Sequence, residues 1–371
     1  MKRAIVSVIS DLSTDRRVHR TCITLTKLGF DVLLIGRRKR NSLALEPRDY
    51  KTKRMFLFFE KGFLFYAEYN FRLFFSLLFK RCDLLVSNDL DTLLPNYLIK
   101  KVKGKELVYD SHEYFTGVPE LEGRNFVRNT WKRIERWIFP KVKDIITVND
   151  SIAKLYKDEY GKELIVVRNI PAHQMLKNPK TRKELGISED KAMILLQGSG
   201  INIDRGAEEA VLAMQYVENT ILHIIGDGDV IDILKRMVKE KQLEQKVIFI
   251  PKQPMEKLLQ YTVHADIGLT LDKDTNINYR YSLPNKLFDY IQAGVPVLAS
   301  PLIEVEKIIK QYSVGELIDN HSPEHIADKL NELLSDKARL AKLKENCNIA
   351  SRKLNWDTEE TILINVFKKY L

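Results

Sequence analysis

Apolar residues occur along the chain in short, nearly continuous runs separated by stretches with helical periodicity. The runs in the first half have the composition of strands buried on both faces of a sheet: 4–9, 31–35, 84–86, 106–109, 145–148 and 164–167. A helix is predicted from 15 to about 28, with Ser13 or Thr14 as its cap and Gly29 after its end. Another helical pattern covers 127–138. Strands that alternate with helices indicate a doubly wound α/β unit.

The second half repeats this alternation after Arg168-Asn-Ile-Pro171, whose Asn and Pro mark a break. Its predicted strands are 193–197, 221–225, 247–250, 267–271 and 297–299. We therefore expect a Rossmann-like domain at 1–168, a second at 169–350, and a last helix within 351–371 that crosses back to the first domain. Because such sheets bind ligands at the carboxyl ends of their strands, a cleft facing both domains is expected.

The segment 282–296 is predicted to be a helix opened by Pro284 and followed by a buried strand. Its inward face consists of Leu287, Tyr290 and Ile291. Asn285 and Asp289 share another face near the helix start, where unpaired N–H groups favour an anion such as a diphosphate. Lys286 is poorly placed for the helix dipole but well placed for a phosphate. Spacing alone leaves open a ligand site and an ordinary capped helix with a solvated Lys and Asp.

Two glycine-containing turns precede this helix. In Gln197-Gly-Ser-Gly200, Gly198 and Gly200 allow close approach of a phosphate to the backbone, and Arg205 follows as a partner for a diphosphate. The alternative is a tight turn between a strand and a helix. In Ile224-Ile-Gly-Asp-Gly-Asp229, Asp227 either points at a ligand or caps the next helix.

A cluster of titratable residues follows a strand of the first half. Val108-Tyr-Asp-Ser-His-Glu113 places Asp110, His112 and Glu113 within four residues at the carboxyl end of that strand. A lone histidine is most often structural, but one flanked by two acids at a strand end is a better candidate for chemistry.

With these motifs, the chain resembles the GT-B glycosyltransferases of family 4, a retaining group. In that family a stretch S-P-x-K-L-x-E-x-x-x-x-G-x-P-V binds a sugar nucleotide at its diphosphate and ribose. Lys286 takes the position of its Lys, and Asp289 that of the ribose-binding acid. The usual E-x7-E pattern is absent, because Tyr281 stands where the first Glu would contact the donor sugar.

The resemblance also implies roles for the other motifs. The glycine-rich loop and Arg205 would bind the donor phosphates, and Asp227 lies in the family's I-x-G-D-G turn. His112 matches the histidine of a V-x-D-x-H motif that contacts the donor sugar near its anomeric carbon. We add that Glu113 would orient or deprotonate an acceptor hydroxyl.

The implied reaction moves a sugar from a nucleotide-diphosphate sugar to a hydroxyl of a glycan or lipid-linked glycan, as in cell-envelope polysaccharide synthesis. The resemblance implies retention of configuration and no metal or other cofactor. A nucleotide-sugar epimerase of the same fold is one alternative. A non-catalytic nucleotide-binding partner, favoured by Tyr281, is another. A nicotinamide oxidoreductase is disfavoured because neither half has a full G-x-G-x-x-G after its first strand.

Charge is unevenly distributed over the chain, whose net charge is +10. Residues 1–170 contain 33 Lys and Arg against 21 Asp and Glu, whereas 171–371 contain 27 against 29. Residues 56–79 hold 11 of the 34 aromatic side chains, and the basic residues of 51–81 flank them. This stretch favours contact with an anionic membrane, the alternative being a buried helix pair with basic ends. No nucleic-acid-binding module is evident, so no nucleic-acid partner is expected.

Cysteine usage bears on the compartment. Cys22, Cys82 and Cys347 are far apart and form no C-x-x-C pair, which argues against a disulfide framework and fits a reducing compartment. No pattern typical of a signal peptide or a membrane-spanning helix is seen. We expect a cytoplasmic protein, peripheral at the inner face of the plasma membrane.

Overall fold

The computed structural model describes residues 1–13, 15–40, 42, 44–118, 121, 123–173, 176 and 178–371. These residues form two compact units. Unit 1 contains Met1–Asn169 and Glu359–Leu371, and unit 2 contains Ile170–Thr358.

Unit 1 is built on a seven-stranded sheet in which neighbouring strands are parallel. The strands are β1 (Arg3–Asp11), β2 (Asp31–Arg38), β3 (Lys51–Phe56), β4 (Leu84–Asn88), β5 (Glu106–Ser111), β6 (Asp144–Thr147) and β7 (Ile165–Val166). Their spatial order is β3-β2-β1-β4-β5-β6-β7. The helices are α1 (Arg16–Lys27), α2 (Gly62–Leu78), α3 (Leu90–Lys103), α4 (Asn125–Ile138) and α5 (Asp150–Tyr160). The predicted doubly wound unit is confirmed, and it also contains β3, α2, α3 and α5, for which no bounds were predicted.

Unit 2 repeats the architecture with six parallel strands in the order β10-β9-β8-β11-β12-β13. They are β8 (Ala192–Gly198), β9 (Thr220–Gly226), β10 (Val247–Pro251), β11 (Ile267–Thr270), β12 (Val297–Ala299) and β13 (Gly315–Leu317). The helices are α6 (Ala207–Ala213), α7 (Ile231–Glu240), α8 (Met255–Thr262), α9 (Ile277–Arg280), α10 (Asn285–Gln292), α11 (Ile303–Tyr312), α12 (Pro323–Ser335) and α13 (Lys337–Ser351). The last helix, α14 (Trp356–Lys368), begins in unit 2 and lies mostly in unit 1. The strand order reverses between β8 and β11, the position at which such sheets bind ligands.

The start of α1 differs from the prediction. Its N-cap is Asp15, whose carboxylate accepts a hydrogen bond from the Val18 N–H. Ser13 instead donates its N–H and hydroxyl to Asp11, so it is not the cap. Thr14, the other predicted cap, lies outside the described residues.

The C-terminal residues are fixed to unit 1 by ion pairs and hydrogen bonds. Glu359 accepts from the Arg168 N–H at 2.7 Å and pairs with its guanidinium at 2.6 Å. Lys369 Nζ lies 2.8 Å from Asp144 Oδ1, and the Tyr370 hydroxyl donates to the other oxygen of the same carboxylate. Within the described ranges, no helix is both long and apolar enough to cross a membrane.

Candidate active site

Three charged residues meet at the carboxyl end of β11, where the strand order of unit 2 reverses. Asp272 follows β11 and is completely buried. Its Oδ1 lies 3.1 Å from Nη1 of Arg205, in the loop after β8, and its Oδ2 lies 3.5 Å from Nζ of Lys286, in the first turn of α10. One carboxylate therefore holds two cations that come from different parts of the chain.

The charges of this cluster do not balance. Asp272 compensates one of the two cations, so the three groups carry a net positive charge. Burial lowers the pKa of Lys286 and the charge of Arg205 lowers it further, against the opposing effect of Asp272. The Arg205 guanidinium also stacks on Tyr279 at 4.1 Å from the ring centroid, and its Nε is buried without a hydrogen-bond partner among the described residues. The arrangement suits an anionic ligand.

Helix α10 is anchored to the sheet by its apolar face. Leu287, Tyr290 and Ile291 are fully buried, which confirms the predicted inward face. The Tyr290 hydroxyl donates to the carbonyl oxygen of Leu195 in β8 and accepts from the Gln197 N–H. The N-cap of α10 is Pro284, and no side chain caps the first turn. The helix therefore presents its N-terminal N–H groups beside Lys286.

The other predicted nucleotide residues of α10 lie at or near the same end of the sheet. Asn285 is the first residue of the helix and is exposed to solvent. Asp289, one turn later, is partly exposed, and its Oδ2 accepts from Nε2 of Gln197 at 3.3 Å. The Gln197 side chain is itself held by the Thr262 hydroxyl at 2.8 Å. This chain of contacts orients Asp289 towards the end of β8.

The glycines of this region fall into two groups. A Cβ on Gly226 would lie 1.7 Å from the carbonyl oxygen of Gly198, and one on Gly228 would lie 2.1 Å from that of Ile201. These two glycines are required because the loops after β8 and β9 are joined through their backbones. A Cβ on Gly198 or Gly200 would meet nothing closer than 3.8 Å, and neither residue has a positive φ. The packing of the chain itself does not require glycine at these two positions.

Asp227 does not cap α7, contrary to one of the predicted alternatives. The N-cap of that helix is Val230, and no side chain bonds to its first turn. The Asp227 carboxylate instead accepts from the N–H of Gly228 at 2.9 Å and is exposed. The remaining alternative, a side chain that faces a ligand, stays a prediction.

In unit 1, His112 is surrounded by acceptors at the carboxyl ends of β4 and β5. Its Nδ1 lies 3.1 Å from Asp89 Oδ2, and its Nε2 lies 3.2 Å from Asn88 Oδ1 and 3.6 Å from Asp110 Oδ2. Asp89, which has φ +58°, also accepts from the backbone N–H of His112 at 2.8 Å. Burial would lower the pKa of His112, but Asp89 and Asp110 together raise it well above its ordinary value. The raised pKa favours the protonated ring, which donates from both nitrogens.

Asp110 is fixed by a buried ion pair. Arg17 contacts both of its oxygens, at 3.1 and 2.7 Å, and also donates to the carbonyl oxygen of Val167. Burial would raise the pKa of Asp110, but Arg17 and His112 hold it well below the ordinary value. Asp91 lies nearby in sequence and is buried, with one oxygen unpartnered among the described residues. Burial and the charge of Asp89 raise the pKa of Asp91 well above its ordinary value.

Glu113 is partly exposed after β5, and its backbone carbonyl accepts from the Ser111 hydroxyl at 2.8 Å. Its predicted role at an acceptor hydroxyl stays a prediction. Across the part of the chain that the structure describes, no three His, Cys, Asp or Glu side chains come together as a metal site.

Two protein-family models together match most of the chain. Residues 14–170 match the model described as Glycosyltransferase Family 4, and residues 177–353 match that described as Glycosyl transferases group 1. The chain belongs to the family 4 glycosyltransferases. The resemblance inferred from the sequence motifs is thereby confirmed.

A curated relative is distant in sequence. A D-inositol 3-phosphate glycosyltransferase from Xylanimonas cellulosilytica is 23% identical over 196 residues, which are 50% of this chain and 44% of that protein. The match thus spans less than half the length of that curated relative.

Solved structures cover the whole chain. Sucrose-phosphate synthase from Thermosynechococcus elongatus superposes with a TM-score of 0.81 at 15% identity, over 100% of this chain and 99% of that chain. Anabaena Alr3699/HepE, solved with UDP and glucose, superposes with a TM-score of 0.76 at 13% identity, over 100% of both chains. These similarities establish the GT-B fold of the family 4 chain.

Sequence reasoning did not assign a role to Asp272. The only available signal was its position just after the predicted strand 267–271, since side chains at strand ends face the ligand edge of such a sheet. Arg17 lies in the first turn of α1. The structure places it in a buried pair with Asp110.

Proposed function

We propose that this family 4 chain transfers a sugar from a nucleotide-diphosphate sugar to a hydroxyl of a glycan or lipid-linked glycan, with retention of anomeric configuration. The observation that carries the proposal is the pair of cations, Arg205 and Lys286, held on the buried carboxylate of Asp272 beside the uncapped start of α10. Hydrogen-bond donors that are fixed before the reaction stabilise charge that develops on a leaving group.

The donor diphosphate would bind to these cations and to the N–H groups at the start of α10, near Asn285. Gly198 and Gly200 would allow the phosphates to approach the backbone, which accounts for glycine at two positions where internal packing does not require it. The HepE neighbour was solved with UDP and glucose, which supports a nucleotide sugar as donor. Asp289 would bind the ribose, and Asp227 would line the same donor site.

In the proposed reaction the acceptor oxygen bonds to the anomeric carbon while the bond from that carbon to the diphosphate oxygen breaks. Attack comes from the face that the diphosphate leaves, so configuration is retained. Glu113 would orient the acceptor hydroxyl or take its proton. His112, as a charged donor, would bind a sugar hydroxyl and support the transition state. The proposal requires no metal or other cofactor, because the leaving charge falls on Arg205 and Lys286.

The test has two stages. Thermal-shift measurements against nucleoside diphosphates that differ only in the base should identify one base that stabilises the chain most. The matching sugar nucleotides are then incubated with and without glycan acceptors, and the products are analysed by mass spectrometry and NMR. A new α- or β-linked glycan with the donor's anomeric configuration supports the proposal.

Two other outcomes of this experiment would contradict the proposal. An altered sugar nucleotide formed without acceptor would indicate an epimerase. Nucleotide binding with neither transfer nor donor hydrolysis would indicate a non-catalytic partner, the alternative that Tyr281 in place of the family's Glu favours.

A further inference from the structure

Helix α2 has apolar side chains on two faces. One row is buried against unit 1 and consists of Phe65, Tyr69, Leu73 and Leu77. The other row is exposed and has the same four-residue spacing: Phe63, Ala67, Phe71, Phe75 and, directly after the helix, Phe79. Residues four apart lie one above the other on a helix, so the exposed set forms a continuous stripe. We call this set the phenylalanine face.

The rings of the phenylalanine face are unusually accessible. Phe63, Phe71 and Phe79 are 74%, 65% and 81% exposed. Phe71 and Phe75 lie 4.7 Å apart between ring centroids, and Phe75 stacks on Phe79 at 6.2 Å. A surface helix normally carries polar residues on its outer side, and soluble monomers rarely expose a contiguous apolar patch of this kind.

The preceding loop adds two more exposed rings, Phe58 and Phe59. The carboxylate of Glu68 accepts from the backbone N–H groups of both residues at 2.9–3.1 Å. Arg72 pairs with the same carboxylate and lies 5.1 Å from the centroid of the Phe58 ring. The loop is therefore held against the helix, and its rings extend the apolar surface.

Basic residues surround this surface. The segment 51–81 contains seven Lys and Arg but only two acids, and one of these acids, Glu68, is paired with Arg72. Lys53 on β3 donates to the Ser76 hydroxyl of α2 at 2.6 Å. Burial lowers the pKa of Lys53, and the charge of Lys80, which directly follows Phe79, lowers it further. Positive charge thus borders the end of the phenylalanine face at Phe79.

An apolar groove lies beside the same rings. It has a volume of about 410 Å³. Its walls include Phe71, Phe74 and Phe75 of α2 and Leu94, Pro95 and Leu98 of α3.

We propose that the phenylalanine face docks on a bilayer surface that contains anionic lipids. The rings enter the interfacial region, the groove beside α2 receives acyl carbons, and the flanking cations contact lipid phosphates. A second copy of the chain is a poor occupant, because a two-fold symmetric contact would place the basic residues of one copy against those of the other. The proposal goes beyond the proposed sugar transfer and does not depend on it, since docking requires neither donor nor acceptor.

Vesicle co-sedimentation of the full chain, without nucleotide, tests this proposal. We expect stronger binding to vesicles that contain phosphatidylglycerol than to vesicles of phosphatidylcholine alone, and a loss of that difference at high salt. The double variant Phe71→Gln/Phe79→Gln should lower the affinity for anionic vesicles by about tenfold or more. Arg81→Ala should weaken binding about fivefold.

Matched controls come from unit 2. Ile349→Gln removes a comparably exposed apolar side chain, and Lys235→Ala removes an exposed cation, so both should bind vesicles as the wild type does. Circular dichroism of each variant checks that it is folded, which is expected because the changed side chains are exposed.

Several results would overturn the proposal. The wild-type chain could remain in the supernatant with anionic vesicles, or it could bind phosphatidylcholine vesicles equally well. The double variant could also bind anionic vesicles as the wild type does. Light scattering that shows a concentration-dependent dimer, lost in the double variant, would assign the face to self-association instead. Failure of docking leaves glycosyl transfer in solution unaffected, so the two proposals fail separately.

Discussion

The ammonium group of Lys286 lies 3.5 Å from the carboxylate of Asp272, which also binds Arg205. Because Asp272 is completely buried, it is shielded from water and its charge acts strongly on both cations. The three side chains thus form one electrostatic unit, and a ligand phosphate that reaches the cations must share them with this carboxylate.

Asp272→Asn should therefore destabilise the free chain but strengthen its response to nucleotide. We expect a loss of about 1–3 kcal/mol in unfolding free energy, because two partly buried cations lose their counter-charge. A nucleoside diphosphate would supply the missing negative charge, so the rise in Tm at a fixed nucleotide concentration should be larger than in the wild type. Turnover should fall, since the cations are no longer oriented.

Asp266→Asn is the matched control for this experiment. Asp266 precedes β11 and also bridges two cations, Arg182 at 2.9 Å and Lys344 at 3.1 Å, but at the opposite end of the strand. It should destabilise the chain without changing the nucleotide-induced shift. Equal shifts in the Asp272→Asn variant and the wild type would contradict the assignment of this site to a diphosphate.

Lys286→Ala and Arg205→Ala should each reduce kcat/KM for sugar transfer by about 100-fold or more, because each removes a cation from the leaving diphosphate. Initial rates with saturating acceptor provide the measurement. Lys344→Ala, which also removes a cation from a bridging carboxylate of unit 2, should retain the wild-type rate. Near-normal transfer in both site variants would refute the proposed function.

The raised pKa of His112 predicts how the stability of the chain and its transfer activity change with pH. Because the folded pKa lies above that of an unfolded histidine, about 6.5, its ion pairs stabilise the chain fully below that pH. This stabilisation is lost as pH rises through the folded pKa. Transfer activity should fall over the same range if the imidazolium is the active donor.

Asp89→Asn tests the cause of this shift. It removes the acid 3.1 Å from Nδ1, so the His112 pKa, followed by NMR titration of the ring, should move down. The alkaline limb of the activity profile should move with it. His112→Gln should abolish that limb, and an unchanged profile in either variant would show that His112 is not the titrating group.

Glycine substitutions separate ligand approach from internal packing. Gly198→Ala and Gly200→Ala should leave the unfolding free energy within about 0.5 kcal/mol or raise it slightly, because the added methyl group meets open space. Nucleotide affinity, measured by calorimetry, should fall in both. Gly226→Ala should destabilise the chain strongly even without ligand, since its Cβ would lie 1.7 Å from a backbone oxygen. Unchanged nucleotide affinity in the first two variants would show that no phosphate approaches there.

Local patterns predicted the parallel strands and the inward face of α10, because the period of apolar residues directly reports which side is buried. The cation cluster could not be derived in this way. Arg205 and Asp272 are 67 positions apart and meet only because β8 and β11 become neighbours in the sheet. Similarly, Arg17 reaches Asp110 across 93 positions, so no local signal distinguished a ligand contact from an internal ion pair.

No bounds were predicted for α2, whose stretch the sequence left as either a membrane contact or a buried helix pair. A helix that is apolar on one side shows a distinct periodicity, but α2 is apolar on two sides, at Phe65 and its row and at Phe63 and its row. The two rows together occupy every second position from 63 to 79, so no single apolar helix face stands out, and the stretch was recognised by its composition.

The attachment of Glu359–Leu371 to unit 1 has a consequence for the order of folding during synthesis. Asp144 and Arg168 leave the ribosome early, but their partners Lys369 and Glu359 are made only after all of unit 2. Synthesis of unit 2 is therefore complete before that of unit 1, although most of unit 1 precedes unit 2 along the chain. Until then, Asp144 and Arg168 of unit 1 lack their charged partners. Truncation near residue 359 should therefore leave unit 1 unstable and unit 2 folded.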